Sequence, residues 1–451
     1  MKQTDPRRLA YDVLCRVEEG GYADLALDGA LNAAALADPR DRGLATELVY
    51  GVLRRQGRLD FALAHFSRQP LAKLESRVLW LLRLGAHQLL HLERVPARAA
   101  VHTTVELARA LGLERATGFI NGLLRSLERG RNVIPWPDAE FDPRGHLVHA
   151  LSLPPWLAGR WLNEFAVDEA LALATAMQEG APFTLRANTL RCTREELLEA
   201  LNSAGHSAAA TTYAPEGITV LHRGNAPLPG SNEGWFQVQD EASMLIPHLL
   251  GAQTGELIYD GCAAPGGKTT QIAALTGNGA RIIASDLHPK RLQLVRQGAA
   301  RLGCTAIECR PFDLFRIPDF LDDGACDRIL LDAPCTGLGV LRRNPESRWR
   351  RSEADILELA RIQRQLLANV APKVRPGGIL LYSVCTITPE ETDHVIDNFL
   401  ADHPDFRRDD PHPDLPAAWA ELFDSAGALR TFPHRHGGMD AFYAVRLRRQ
   451  G

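Results

Sequence analysis

From Asp5 to about Arg129 the apolar positions recur at three- and four-residue spacings, as in Leu44, Leu48, Val52 and in Leu81, Leu84, Gln88. Gly and Pro fall mostly at the breaks, so the spacing predicts an all-helical unit. The stretch from Pro96 to Ala108 reads as a helix with proline near its start, and Phe119 to Arg125 begins another. A Pro- and Asp-rich break at 134–143 closes this unit, giving a first domain over residues 1–145. The period then weakens. Leu185 to Thr189 reads as a strand, Thr193-Arg194-Glu195-Glu196 opens a helix as a capping box, and the Gly/Pro-rich stretch 215–234 predicts short strands and turns. Residues 146–234 are therefore expected to form a small α+β module. From Trp235 strands and helices alternate, with strands expected at 257–260, 281–286, 306–309, 328–332, 379–384 and 441–447. Ser352 can cap a long helix carrying Ile356, Leu359, Ile362, Leu366 and Val370 on one face, with Pro376-Gly377-Gly378 ending it. The predicted fold is multidomain, α plus α/β. Its third domain, 235–451, is a doubly wound, Rossmann-like sheet that binds ligands beyond the carboxyl ends of its strands.

A chain of 451 residues is too long for one ordinary core, which agrees with several domains. No run approaches eighteen apolar residues and the start has no secretory pattern, so a cytoplasmic protein without a membrane span is expected. The net charge of −4 divides unevenly: residues 1–144 hold 21 basic against 18 acidic side chains. A basic front end is suited to a polyanionic partner. Only five basic residues are lysine, so Lys268 stands out in an arginine-rich chain. The eight cysteines include no Cys-x-x-Cys pair, so neither a zinc site nor a disulfide framework is expected, and no metal set is found.

Three segments carry candidate chemistry. The first is Asp260-Gly261-Cys262-Ala263-Ala264-Pro265-Gly266-Gly267-Lys268-Thr269, at the turn from the first strand of the sheet into a helix. Glycines there let the backbone approach a ligand, and the following helix offers free N–H groups. Gly267-Lys268-Thr269 fits the tail of a P-loop, but Cys262 stands where its first glycine belongs and Pro265 removes a donor. The competing reading is a loop for S-adenosylmethionine, with Asp286 at the end of the second strand to bond the ribose hydroxyls. The second and third segments are Asp332-Ala333-Pro334-Cys335-Thr336-Gly337 and Ser383-Val384-Cys385-Thr386. Each puts a cysteine just past the end of consecutive strands, on the edge where a ligand would lie.

This set, with Asp313, resembles the RNA cytosine-5 methyltransferase family, and the helical front end resembles the NusB-like RNA-binding domain. The resemblance spans essentially the whole chain. It implies an enzyme that takes S-adenosylmethionine and methylates one helix-loop cytosine of 16S ribosomal RNA; a monomer is expected. It further implies that Cys385 is the nucleophile and that Cys335 assists release of the methylated base. Cofactor contacts are implied for Cys262, Ala263, Ala264, Pro265, Gly266, Gly267, Lys268, Asp286, Asp313 and Asp332. Lys268 and Asp332 are counted with the catalytic set. The chemistry suits the residue types. Carbon 5 of cytosine is a poor nucleophile until a thiolate adds at carbon 6, and cysteine both attacks and leaves readily. Asp332 can stabilise the adduct at N3 and N4 as an acid or donor if burial raises its pKa. Finally, Leu341 to Arg351 holds five arginines and Trp349, suited to phosphates and to a stacked base. The alternative is a solvated loop. A cytosine inside a helical stack hides its faces, so the target must be unpaired or flipped. An RNA-binding assembly factor without turnover stands as the other functional class.

Overall fold

The computed structural model describes residues 5–34, 36, 38–410 and 415–451. The chain forms two compact units: Met1–Gly180 with Leu341–Arg351, and Ala181–Val340 with Ser352–Gly451. No helix among the described residues is long and apolar enough to cross a membrane.

The first unit is helical. Asp5 and Asp38 cap helices Pro6–Glu18 and Pro39–Arg54, accepting from the main-chain N–H of Arg7 and Arg40 at 3.0 and 2.8 Å. A proline follows each cap, where its missing N–H costs no hydrogen bond. Helices Gln56–Phe66, Ser76–His91, Ala97–Ala110 and Thr117–Gly130 complete the bundle. Leu48, Val52, Leu81 and Leu84 are fully buried in its core, the stripe that the spacing predicts. The unit runs past the expected boundary at 145, because the following turn and helices pack onto it. Ser152 Oγ accepts from Gly57 N at 2.7 Å, and helices Pro155–Glu164 and Val167–Ala176 belong to the same unit.

The arginine-rich segment Leu341–Arg351 also packs inside this unit. Arg348 is fully buried. Its Nη1 donates to the carbonyls of Arg54 and Ser152 at 3.2 and 3.4 Å, and its Nη2 to those of Met177 and Leu341 at 3.1 and 3.3 Å. Trp349 Nε1 donates to Leu53 O at 2.9 Å, and Arg350 Nη2 to Gly21 O at 2.6 Å. Neither the phosphate grip nor the solvated loop describes Arg348 and Trp349: both Nη atoms of Arg348 and the indole nitrogen of Trp349 are spent on main-chain carbonyls. Arg348→Ala strips four buried acceptors of a donor and should destabilise the protein by roughly 3 kcal/mol or more. An unchanged urea midpoint would show that the guanidinium carries no such load.

The second unit contains two sheets. Strands β1 (Thr184–Ala187), β2 (Ser207–Ala210), β3 (Gly217–His222) and β4 (Phe236–Val238) form an antiparallel sheet in the order β2-β3-β1-β4. The capping box at Thr193 opens helix Arg194–Ser203 beside it, as expected. The large sheet holds β5 (Leu257–Asp260), β6 (Arg281–Asp286), β7 (Ile307–Pro311), β8 (Cys326–Asp332), β9 (Val374–Val384), β10 (Phe406–Arg408), β11 (Leu429–Arg430) and β12 (Tyr443–Arg449). Its order is β10-β12-β9-β8-β5-β6-β7, with β11 paired to β12. Strands β5 to β9 are mutually parallel, and β12 runs antiparallel beside β9. Apolar runs such as Ile329-Leu330-Leu331 are buried because helices cover both faces. The chain reverses its direction of travel across the sheet between β5 and β8, so the tips of those strands flank the switch point where ligands bind.

Candidate active site

The donor-loop segment leaves β5 at Asp260 and enters helix Gly267–Leu275. Gly266 has a φ of +105°, and a Cβ there would meet Val295 Cα at 3.0 Å, so the turn requires glycine. Ala263 N donates to Ser285 O at 2.8 Å, which pins the loop to the end of β6. Asp286, almost fully buried at that end, accepts from His288 N at 2.9 Å and has Arg291 at 3.6 Å. Cys262 lies in the loop between Asp260, Asp286 and Asp332; burial first, then those carboxylates, push its thiol well above the usual range. Asp313 sits just past β7, exposed, where it accepts from Phe315 N at 3.0 Å. Arg186, fully buried on β1, donates to Gly267 O and, at 3.1 Å, to Thr270 Oγ1, tying the small module to the start of the helix.

Asp332 closes β8. Lys268 Nζ lies 2.7 Å from its Oδ2, and Ser383 Oγ donates to its Oδ1 at 2.7 Å. The second contact follows from register, since Asp332 and Ser383 are paired across β8 and β9. Lys268 also stands 5.0 Å from the centre of the Phe442 ring. Beyond the paired ends the two cysteine loops turn together, and Cys335 Sγ lies 3.4 Å from Cys385 Sγ. Both thiols are partly buried. The Cys385 thiol, then burial, then Cys385 and Glu391 charge, hold Cys335 well above the ordinary thiol range, so it stays protonated at neutral pH. Gly339 N donates to Cys385 O at 3.0 Å, and a Cβ at Gly339 would meet Ala441 O at 2.1 Å, so only glycine permits this approach.

Asp260 is nearly inaccessible, at 1% exposure, and accepts from Thr269 Oγ1 at 2.6 Å, while its Oδ1 has no partner. Burial, with Asp332 nearby and against the Thr269 bond, pushes its carboxyl up to about 7. The folded protein then holds a proton that the unfolded chain releases above its ordinary carboxylate pKa. Stability from this group therefore falls as pH rises from about 4 to about 7. Asp260→Asn should remove that fall, which is on the order of a few kcal/mol, in denaturation midpoints measured across the interval. Parallel pH profiles for variant and parent would refute it.

Residues 247–448 match the family described as 16S rRNA methyltransferase RsmB/F, residues 4–129 the NusB family, and residues 153–226 the ferredoxin-like domain of RsmF/B-like methyltransferases. The probable ribosomal RNA small subunit methyltransferase B of Bacillus subtilis is 35% identical over 100% of both chains. The ribosomal RNA small subunit methyltransferase B of Sodalis glossinidius is 38% identical over 91% of this chain and 90% of its own. A solved methyltransferase homolog protein from Pyrococcus horikoshii is 29% identical, with a TM-score of 0.58 over 67% of this chain and 97% of that one. The chain belongs to the RsmB/F methyltransferase family.

As a family member it uses S-adenosylmethionine, and the multidomain, α plus α/β fold expected from the sequence, with a NusB-like first domain, is borne out. The residues at the strand tips fit that cofactor. The Gly266 turn opens the loop to a ligand, helix Gly267–Leu275 presents free N–H groups, and Asp286 offers a carboxylate at the second strand end. The P-loop alternative falls with the methyltransferase family match. No group of three metal-binding side chains occurs among the described residues. Sequence reasoning passed over Ser383 as a partner of Asp332, and also Phe442, Gly339 and Glu391. The Thr386-to-Glu391 spacing was the one local signal, but Pro389-Glu390-Glu391 also reads as the acidic first turn of a helix.

Proposed function

We propose that this RsmB/F methyltransferase transfers a methyl group from S-adenosylmethionine to carbon 5 of a cytosine in 16S ribosomal RNA through a covalent adduct on Cys385. The observation that carries the reading is the pair of sulfurs 3.4 Å apart beside the Lys268–Asp332 ion pair. Bound S-adenosylmethionine supplies the electrophilic methyl group. The Cys385 thiolate adds to carbon 6 of the base, and the electron pair of the C5–C6 double bond becomes available at carbon 5 for that methyl. Both oxygens of Asp332 already accept hydrogen bonds from Lys268 and Ser383, so Asp332 receives the base's amino group through its remaining lone pairs rather than donating a proton. As the bond between carbon 6 and sulfur breaks, the Cys335 thiol gives its proton to the Cys385 sulfur. In the same step the Cys335 sulfur takes the carbon 5 proton, whose bonding pair re-forms the C5–C6 double bond, and both thiols are restored; the proton that Cys385 gave up on forming its thiolate passes to solvent.

The helical unit supports an RNA partner. Between helices Ala97–Ala110 and Thr117–Gly130 it has a cavity of about 770 Å³ lined in part by Arg98, His102, Arg109, Asn121 and Arg125. Arg98, His102 and Asn121 suit backbone phosphates, while Arg109 and Arg125 also pair with Glu106 and Glu128. Purified protein, labelled S-adenosylmethionine and bare 16S RNA test the proposal, with the product digested to nucleosides. Label in 5-methylcytidine is expected. No label would leave a non-catalytic RNA-binding factor, and label in any other nucleoside would overturn the cytosine assignment.

A further inference from the structure

We infer that Glu391 is a positioning residue that clamps the two cysteine loops together and thereby holds both sulfurs at one reaction centre. This rests on the roles proposed above for Cys335 and Cys385. The ladder between β8 and β9 ends at the Asp332–Ser383 pair; beyond it main-chain bonds from Ala333 N to Ser383 O and from Gly339 N to Cys385 O join the loops, and side chains add the ties next to the thiols. Glu391 is fully buried and touches the residue after each cysteine. Its Oε1 accepts from Thr336 N at 2.8 Å and from Gln363 Nε2 at 3.0 Å. Its Oε2 accepts from Thr336 Oγ1 at 2.5 Å and from Thr388 Oγ1 at 2.8 Å. The Thr386 hydroxyl has one proton for two acceptors, Glu391 Oε2 at 3.2 Å and Thr336 Oγ1 at 2.9 Å. Either choice binds the Cys385 loop to the Cys335 loop.

The clamp is itself anchored. Gln363 Nε2 also donates to Pro334 O at 2.9 Å, and Tyr382 OH donates to Glu391 O at 2.7 Å. Glu391 is fully buried, and its carboxylate accepts from Thr336, Gln363 and Thr388. A carboxylate satisfies such a ring of donors, whereas an amide of the same size turns a donor toward at least one of them. Loss of the clamp separates the sulfurs without touching the donor loop.

Glu391→Gln in the full chain tests this. Turnover should fall about 100-fold, the cost of misplacing reacting groups by about 1 Å, while the KM for S-adenosylmethionine stays within about twofold. A second readout needs no RNA. Diamide oxidises neighbouring thiols to a disulfide, and the rate of forming the Cys335–Cys385 bond should fall roughly tenfold in the variant, because that bond demands close sulfur geometry. A folded variant with parental turnover and parental crosslinking overturns the clamp. So does a KM that rises in step with the loss of turnover, the mark of general loosening. If Glu391→Gln does not fold, Thr388→Val removes one donor and should show the same pattern at about fivefold in turnover. Should the parent methylate no cytosine yet crosslink faster than the variant, the proposed reaction fails while the clamp stands.

Discussion

Cys385→Ala is expected to reduce methyl transfer to 16S RNA by a factor on the order of 10⁴ or more, the scale seen when a covalent nucleophile is removed. The loss should appear in single turnover as well as in steady state, because without the adduct carbon 5 never becomes nucleophilic. The effect cannot be ascribed to unfolding. Cys385 is partly buried at a loop, and alanine removes one sulfur without stranding a charge or emptying a core position. Binding of S-adenosylmethionine by equilibrium dialysis should match the parent, since the donor loop from Asp260 to Lys268 is separate in sequence and intact. Retention of more than a few per cent of the parental rate would transfer the nucleophile's role to another group.

Cys335→Ala is expected to fail at the opposite end of the cycle. Attack by Cys385 and methyl transfer proceed, but the proton exchange that lets sulfur depart is lost. Steady-state turnover should drop on the order of 10³-fold, within the range for general acid–base groups. Methyl incorporation in the first turnover should approach one per protein molecule. A protein–RNA species should then accumulate and survive denaturing electrophoresis, and excess thiol at raised temperature should dissolve it only slowly. The physical basis is that the Cys335 thiol, 3.4 Å from the Cys385 sulfur, is raised by Cys385, burial and Glu391 and so carries the proton to give. If this variant turns over at the parental rate, release belongs to another group. If it shows no first-turnover transfer, Cys335 acts before release.

Much of the sheet was legible because its strands carry dense apolar runs between clear breaks. β5 and β6 run over Leu257–Asp260 and Arg281–Asp286, the bounds that the pattern predicts. β9 was read five residues short. Pro376-Gly377-Gly378 looks like a helix stop, yet the helix ends at Val370, and these residues lie inside the strand, opposite a register shift at Cys326/Arg328, with Gly377 at a φ of +75°. The pairing of the two cysteines was legible from topology: each follows a strand, and the strands are consecutive. What escaped is set by contacts distant in sequence. Glu391 finds Thr336 55 residues away, and Arg348 finds a carbonyl at Arg54, 294 residues away. An arginine-rich stretch carries no local mark that distinguishes a guanidinium bound for solvent phosphates from one bound for buried carbonyls. Arg348 had to be seen in place.

The most direct test of the two-thiol centre is peptide mapping of the adduct formed by the unmodified protein with 16S RNA containing 5-fluorocytidine. Fluorine at carbon 5 blocks proton loss, so the intermediate is retained for nuclease and protease digestion and mass spectrometry. A methylated fluorocytidine attached to the peptide bearing Cys385 is the predicted result. Attachment to the peptide bearing Cys335, or to neither, contradicts it.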